Sequence, residues 1–322
     1  MRPIRFFISL LLATVSLSTN AAPMADDVHV WLQRMTNAVH SLSYDGIFVV
    51  LHNAQLESMQ ISHTVDNAGE KERLVSLNGV AREVFRDNAS VTCIAPDAKS
   101  VSIGNRVVAQ GFRSVFSVDI SQLSDVYNFH LLGDDRVAGR PVRIVAIIPK
   151  DAYRYGYRLY LDREHALPLK TDMLNVSGVP ISQSMFTQLQ VHTSSREIDE
   201  ISLDGKEYYQ WVQQKPVRTI SDQQFSGWSF NDLPKGFHVT LHSKRNSGKQ
   251  AEDIDHFVLS DGLASLSVYV EAAVDVGLQG SSTMGTVNAF GDTISGHQVT
   301  AVGEVPAITV ERIAKSLRFS QQ

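Results

Sequence analysis

His238 and His242 stand four residues apart, a spacing that brings two imidazoles onto one metal ion when the segment is helical. Here the segment Phe237–His242 reads as a strand, where four residues span about 13 Å, too far for one ion. No His-Glu-x-x-His and no cysteine pair supplies an alternative metal site. Cys93 is the only thiol, and Val91-Thr92-Cys93-Ile94 reads as a strand. It lacks the helix start or basic neighbour that would make a thiolate, so it reads as a small buried side chain. Asp26-Asp27 and Asp134-Asp135 are paired carboxylates. The first pair sits where a helix starts and the second in an expected turn before Arg136, so capping and solvated-turn roles take precedence over acid–base work. There is no Gly-x-Ser-x-Gly, no Ser-x-x-Lys, no Gly-x-Gly-x-x-Gly and no phosphate loop. The residue types point to binding rather than catalysis, with no metal and no cofactor implied.

What remains as a candidate site is apolar. Tyr153–Leu189 divides into three strand-like runs, Tyr155–Leu161, Leu167–Leu174 and Ile181–Leu189, each alternating with period two. The breaks between them are short and polar, which makes the three an antiparallel meander. Its apolar face carries Tyr157, Leu159, Leu161, Leu169, Met173 and Met185. Two readings of that face stand: a plain core packed by helices, or an adaptable cavity for an apolar ligand. Lys244, Arg245 and Lys249 surround a hairpin loop that is either solvated or a small cationic contact.

The elements around the meander follow from pattern. Val28, Trp31, Leu32, Met35, Val39 and Leu42 recur at three and four, an amphipathic helix ending near Ser41. Dense strands follow at Tyr44–Leu51 and Met59–Val65, then Arg73–Leu77, Ala81–Phe85, Val91–Ile94 and Val101–Ile103, separated by turn residues such as Asn78-Gly79. Ser117–Tyr127 reads as a second helix, and Pro141–Ile148 as the most apolar strand. Such a large antiparallel sheet tends to curl or close. After Val191 the composition turns polar. We place an N-terminal domain at 22–204, a linker at 205–221 and a C-terminal domain at 222–322. The last has strands at Phe237–His242, His256–Leu259, Ala264–Val270, Val287–Phe290 and Gln298–Val302, an Asp261-Gly262 hairpin and a glycine-rich loop at Gly277–Gly285. A closing helix from Pro306 buries Val310, Ile313, Ala314 and Leu317. The fold class is α+β.

Residues 1–21 read as a cleaved export signal: Arg2 and Arg5, then the apolar run Phe6–Leu17, then small residues up to Ala21. That run is too short to span a bilayer. Over the whole chain 29 lysines and arginines face 34 acidic residues, a net charge of −5, and cleavage takes it to about −7 by removing Arg2 and Arg5. Nucleic acid is therefore a poor partner. A single cysteine means the fold rests on its core, not on a disulfide.

Several stretches together resemble the RseB/MucB family of periplasmic regulators of the sigma-E (AlgU) pathway. They are Trp31-Leu32-Gln33-Arg34-Met35, Tyr44-Asp45-Gly46-Ile47-Phe48-Val49, Tyr155–Asp162 with Leu167-Pro168-Leu169-Lys170, Trp228 with Leu233–Phe237, and Thr309–Leu317. The resemblance implies a LolA/LolB-like half-barrel lidded by helices, followed by the smaller C-terminal domain. It implies a periplasmic protein whose partner is the periplasmic domain of a transmembrane anti-sigma factor (RseA/MucA-like), shielded from regulated proteolysis. It also implies a lipid or lipopolysaccharide fragment as the releasing signal, and it allows a homo-oligomer. A lipid or lipoprotein carrier using the same cavity is the competing expectation.

Overall fold

The structure is a computed structural model that describes residues 27–105, 123–198, 206–213, 227–245, 254–273 and 277–319. The expected signal peptide lies outside these residues, as does most of the expected helix at 117–127.

Helix α1 (Val28–Ser41) opens the chain, and the Asp27 carboxylate caps it by accepting the His29 amide at 2.9 Å. That hydrogen bond holds the Asp27 carboxyl below the usual carboxylate range. Twelve strands form one sheet: β1 (Ser43–His52), β2 (Gln55–Asp66), β3 (Gly69–Ser76), β4 (Glu83–Arg86), β5 (Ser90–Ala95), β6 (Ser100–Asn105), β7 (Tyr127–Val137), β8 (Arg140–Pro149), β9 (Gly156–Asp162), β10 (Pro168–Leu174), β11 (Pro180–His192) and β12 (Gln210–Gln213). Their spatial order is β12-β6-β5-β4-β3-β2-β1-β11-β10-β9-β8-β7. The two runs of hairpins are joined in the middle, where β1 pairs with β11 from Ser43↔His192 to His52↔Ser182. A bulge after Ile47 brings Phe48 opposite Phe186.

Residues alternate in and out along these strands, and the inner face meets α1. Trp31, Leu32, Met35, Ala38 and Val39 join Tyr44, Phe48, Met59, Ile61, Leu159, Leu161 and Leu169 in one core. The spacing of α1 thus does what the sequence implied, covering the sheet with its apolar stripe.

The meander forms as expected from β9, β10 and β11. Other expectations are corrected. Leu123–Val126 make only a helical turn and β7 begins at Tyr127, so the end of the expected second helix is strand. Strand β7 itself was not legible. It is an edge strand with a bulge between Leu131 and Gly133, and its Gly133-Asp134-Asp135 run has poor strand propensity. Asp134 and Asp135 therefore sit in a strand, and the turn is Ala138-Gly139, both at positive φ. The expected linker is partly built into the first domain, since β12 adds to β6 in parallel, Trp211 opposite Val101.

The second sheet holds β14 (His238–Arg245), β15 (Ile254–Ser260), β16 (Ser265–Ala272), β17 (Gly280–Met284), β18 (Val287–Ile294) and β19 (His297–Gly303) in the order β14-β15-β16-β19-β18-β17. The expected loop at 277–285 contains β17, an edge strand whose Gly-Ser-Ser-Thr composition hid it. A two-stranded ribbon pairs β13 (Trp228–Phe230) with β20 (Leu317–Phe319). Helix α2 (Ala307–Ser316) follows Pro306, and Val310, Ile313, Ala314 and Leu317 are all fully buried with Phe257, Leu259 and Val268. His238 and His242 do lie on a strand, and His242 is stacked on Phe257 with its Nε2 2.7 Å from Asp255. Ile313→Ala should cost about 2–5 kcal/mol, as buried aliphatic truncations do, read as a lower urea midpoint for the C-terminal domain.

Candidate functional site

The sequence-derived site residues divide by register. Tyr157 lies opposite Met173 and Leu159 opposite Thr171, so these share the inner face. Leu159, Leu161 and Leu169 have no accessible surface, Tyr157 has almost none, and Met173 is half-buried at the margin of the same core. Five of the six are thus brought together in the core to which α1 also contributes. Met185 is not: it pairs with Lys170, which pairs with Tyr160, and this places it on the outer face, 38% exposed. The even spacing of Ile181, Met185 and Leu189 misled because β11 carries the bulge that exchanges its faces.

The inner face ends at a polar junction that the sequence did not disclose. The segment Asp151–Tyr155 between β8 and β9 enters the C-terminal domain. Arg154 is completely buried there and donates to Asp261 Oδ2 at 2.6 Å, to Asp151 Oδ1 at 3.0 Å and to the Lys235 carbonyl at 2.7 Å. Its guanidinium also stacks near the rings of Tyr127 and Phe237. Asp261 is equally enclosed. It takes the Tyr127 hydroxyl at 3.0 Å on Oδ2, and the amides of Leu263 and Ala264 at 2.8 and 2.7 Å on Oδ1. The Asp261-Gly262 turn therefore forms its hairpin and anchors the other domain with one side chain.

Neighbouring contacts complete the junction. Asn288 donates to the Tyr155 hydroxyl at 3.1 Å, Thr309 to the Tyr153 carbonyl at 2.7 Å, and Arg312 to the Tyr153 hydroxyl at 2.6 Å. Leu263, from the second domain, packs into the first domain's core. Burial, then the Asp261 charge, pushes the Tyr127 phenol well above its ordinary range. Burial, then Glu304, does the same to Tyr157. Burial also raises Tyr155, against the Asn288 hydrogen bond. Strand β9 and its lead-in thus serve both regions: Arg154 and Tyr155 hold the C-terminal domain, while Tyr157, Leu159 and Leu161 hold the N-terminal core.

Two further polar groupings bear on chemistry. Asp162, Glu164 and His165 converge closely enough to hold a cation. Arg140 already fills that role, with both carboxylate oxygens of Asp162 at 3.0 and 2.9 Å and Glu164 at 3.1 Å. Burial alone would raise the Asp162 carboxyl, but hydrogen bonds from Arg140 and His165 outweigh it and hold it low. At the end of α1, His63 has Nδ1 2.7 Å from the Leu42 carbonyl and Nε2 2.9 Å from Glu70, tying helix to sheet. Cys93 is half-buried in β5. The Ser267 hydroxyl lies 3.0 Å from His256 Nε2, a side-chain contact between the neighbouring strands β15 and β16.

The chain matches two family models in sequence order, the MucB/RseB N-terminal domain over residues 27–208 and the MucB/RseB C-terminal domain over 222–318. It is 32% identical over 321 residues to the sigma factor AlgU regulatory protein MucB of Pseudomonas aeruginosa, covering 96% of each chain. To the sigma-E factor regulatory protein RseB of Escherichia coli K12 it is 24% identical, covering 99% of each. Among solved structures it is similar to MucB in complex with MucA(peri), at 31% identity and a TM-score of 0.71, covering 92% of this chain and all of that one.

Arg154→Met strands the Asp261 carboxylate in a dry junction, and breaking such a pair costs about 3–5 kcal/mol. The loss should be measurable by denaturant unfolding. The tyrosines give a pH test. A phenol with a raised value stabilises the fold fully below about pH 10, where the unfolded chain would ionise, and that stability fades as pH climbs further. A tyrosinate absorbance titration should show Tyr127, Tyr155 and Tyr157 silent, so that fewer than the nine tyrosines ionise before the chain unfolds.

Proposed function

This chain belongs to the MucB/RseB family, and from that premise we propose that it is a non-catalytic regulator that binds the periplasmic domain of a transmembrane anti-sigma factor of the MucA/RseA kind. Bound, it shields that domain from the proteolysis that frees a sigma-E-type factor. It works in the periplasm, reached through the signal at 1–21. The observation that carries the reading is the end-to-end likeness, across both domains, to a MucB chain seen in complex with MucA(peri).

Release requires a signal that favours a form unable to hold the partner. The signal in this reading is a lipid or lipopolysaccharide fragment taken up at the inner face of the meander, beside Tyr157, Leu159, Leu161, Leu169 and Met173. Because the three leucines are enclosed under α1, an acyl chain enters from the Met173 margin and shifts α1 as it advances. That margin adjoins the Tyr153–Tyr155 segment, so ligand entry loads the strand that also anchors the C-terminal domain. The two domains are then the movable parts. A lipid or lipoprotein carrier is the second reading, favoured only by the same apolar face.

Affinity capture separates the two. The mature chain should retain the anti-sigma periplasmic domain, and lipopolysaccharide should lower that retention. No retention, together with acyl-lipid transfer between membranes, would establish the carrier instead. Met173→Glu should weaken lipid binding about tenfold or more while leaving capture intact, since a charge then faces the acyl chain; equal lipid affinity in the folded variant removes the inner face from the scheme.

A further inference from the structure

Of the connections at one end of the large sheet, three carry exposed aliphatic side chains. The β1–β2 turn at Asn53-Ala54 is flanked by the cross-strand pair Leu51 and Leu56. The β3–β4 connection carries Leu77 and Val80, and the β10–β11 turn carries Val176 and Val179. Register sets them side by side. His52 lies opposite Gln55 on one flank and Ser182 on the other, and the Leu77 amide donates to the Ser58 carbonyl at 2.8 Å. Val80 is 73% exposed and Val176 66%, unusual for aliphatic side chains in a row. The C-terminal domain extends the row: the Asn53 side chain fills the space beside Gly285, so the exposed Met284 stands next to the β1–β2 turn.

Two properties decide what such a row can meet. First, side chains within the turns already take up part of its backbone. Asn78 donates to the Leu56 carbonyl at 2.8 Å and accepts the Ser58 amide at 2.6 Å, while Asn175 accepts the amides of Ser177 and Val179 at 2.9 and 3.0 Å. Those groups are not open to an extended peptide. Second, the segments 51–56, 77–81 and 174–181 contain no Asp, Glu, Lys or Arg, and the flanking Glu57 and Arg82 lie 3.6 Å apart as a pair. Protein interfaces concentrate their energy in tryptophan, tyrosine and arginine, which these tips lack. A fourth connection at this end, Pro96–Lys99, sets the Asp97 carboxylate on the Ala81 amide at 3.2 Å, so the aliphatic tips are bordered by one acidic and one basic residue. The tips lose little by leaving water for a medium without fixed partners, while those charges stay at headgroup level.

We propose that this end of the sheet docks on a lipid bilayer, with Val80, Val176 and Val179 entering the boundary between headgroups and acyl chains. This goes beyond the regulatory reading, because holding a partner's periplasmic domain does not require the holder to touch the membrane. It also differs from uptake of a lipid under α1, since the residues are on the sheet's end and not its inner face.

The test is flotation of the mature chain with phosphatidylcholine vesicles, with and without added phosphatidylglycerol, using Val80→Glu/Val176→Glu as the variant. The wild-type chain should float with both vesicle types, and the variant should lose about tenfold or more of its partitioning. Raising salt from about 0.1 M to about 1 M, which cuts the screening length from about 10 Å to about 3 Å, should leave binding unchanged. Absence of flotation, or equal flotation of the variant, overturns the proposal. So does a variant that floats normally but loses self-association or capture of the anti-sigma domain, since the tips then serve a protein interface. Val176→Trp decides independently of the double variant's folding: its emission should shift to the blue on adding vesicles, and an unshifted spectrum overturns the proposal.

Discussion

A guanidinium and a carboxylate, both shut away from water, hold the two halves of this protein together. Taking either ion out of solvent is costly, and only close geometry with further hydrogen bonds compensates. Arg154 and Asp261 meet both requirements: three acceptors surround the cation, four donors surround the anion, and two aromatic rings flank the guanidinium. The pair is directional in a way that apolar packing is not. It fixes where the β15–β16 turn sits against the β8–β9 segment, and everything either domain contributes to partner binding inherits that placement.

The consequence for function lies in how little chain separates the latch from the apolar core. Arg154 and Leu159 are five residues apart, the first in the bend that leads into β9 and the second within it, and Tyr157 between them feels both the core and the acidic groups of the second domain. A change in packing under α1 has a short, stiff route to the junction. This is a structural basis for coupling, resting on one shared element and not on a chain of intermediates.

Much of this was legible in the chain and some was not, for physical reasons. Period-two and period-three-four patterns disclosed the meander, α1 and the buried stripe of α2, because each buries one continuous face. Strand β7 escaped because an edge strand with a bulge and an Asp-Asp pair lacks that continuity, and β17 escaped because its small polar residues pack nothing. Met185 was placed on the wrong side by a bulge, which no alternation rule detects. Arg154 was invisible: an arginine in a polar connection looks solvated until the domain that buries it is present. Asp261 was half legible, recognised as a turn residue while its second partner, 107 positions away, was not.

The pairing of β1 with β11 also has an effect on how the molecule comes to exist. Those strands are separated by more than a hundred residues, yet each lies at the middle of the sheet. During assembly the Ile47–Leu51 edge stays open until Pro180–His192 arrives, and loops of that length close slowly. An unfinished chain therefore exposes its most adhesive strand for longest, and substitutions that hasten or delay closure of that central seam should govern yield and misassembly more than they govern the stability of the finished protein.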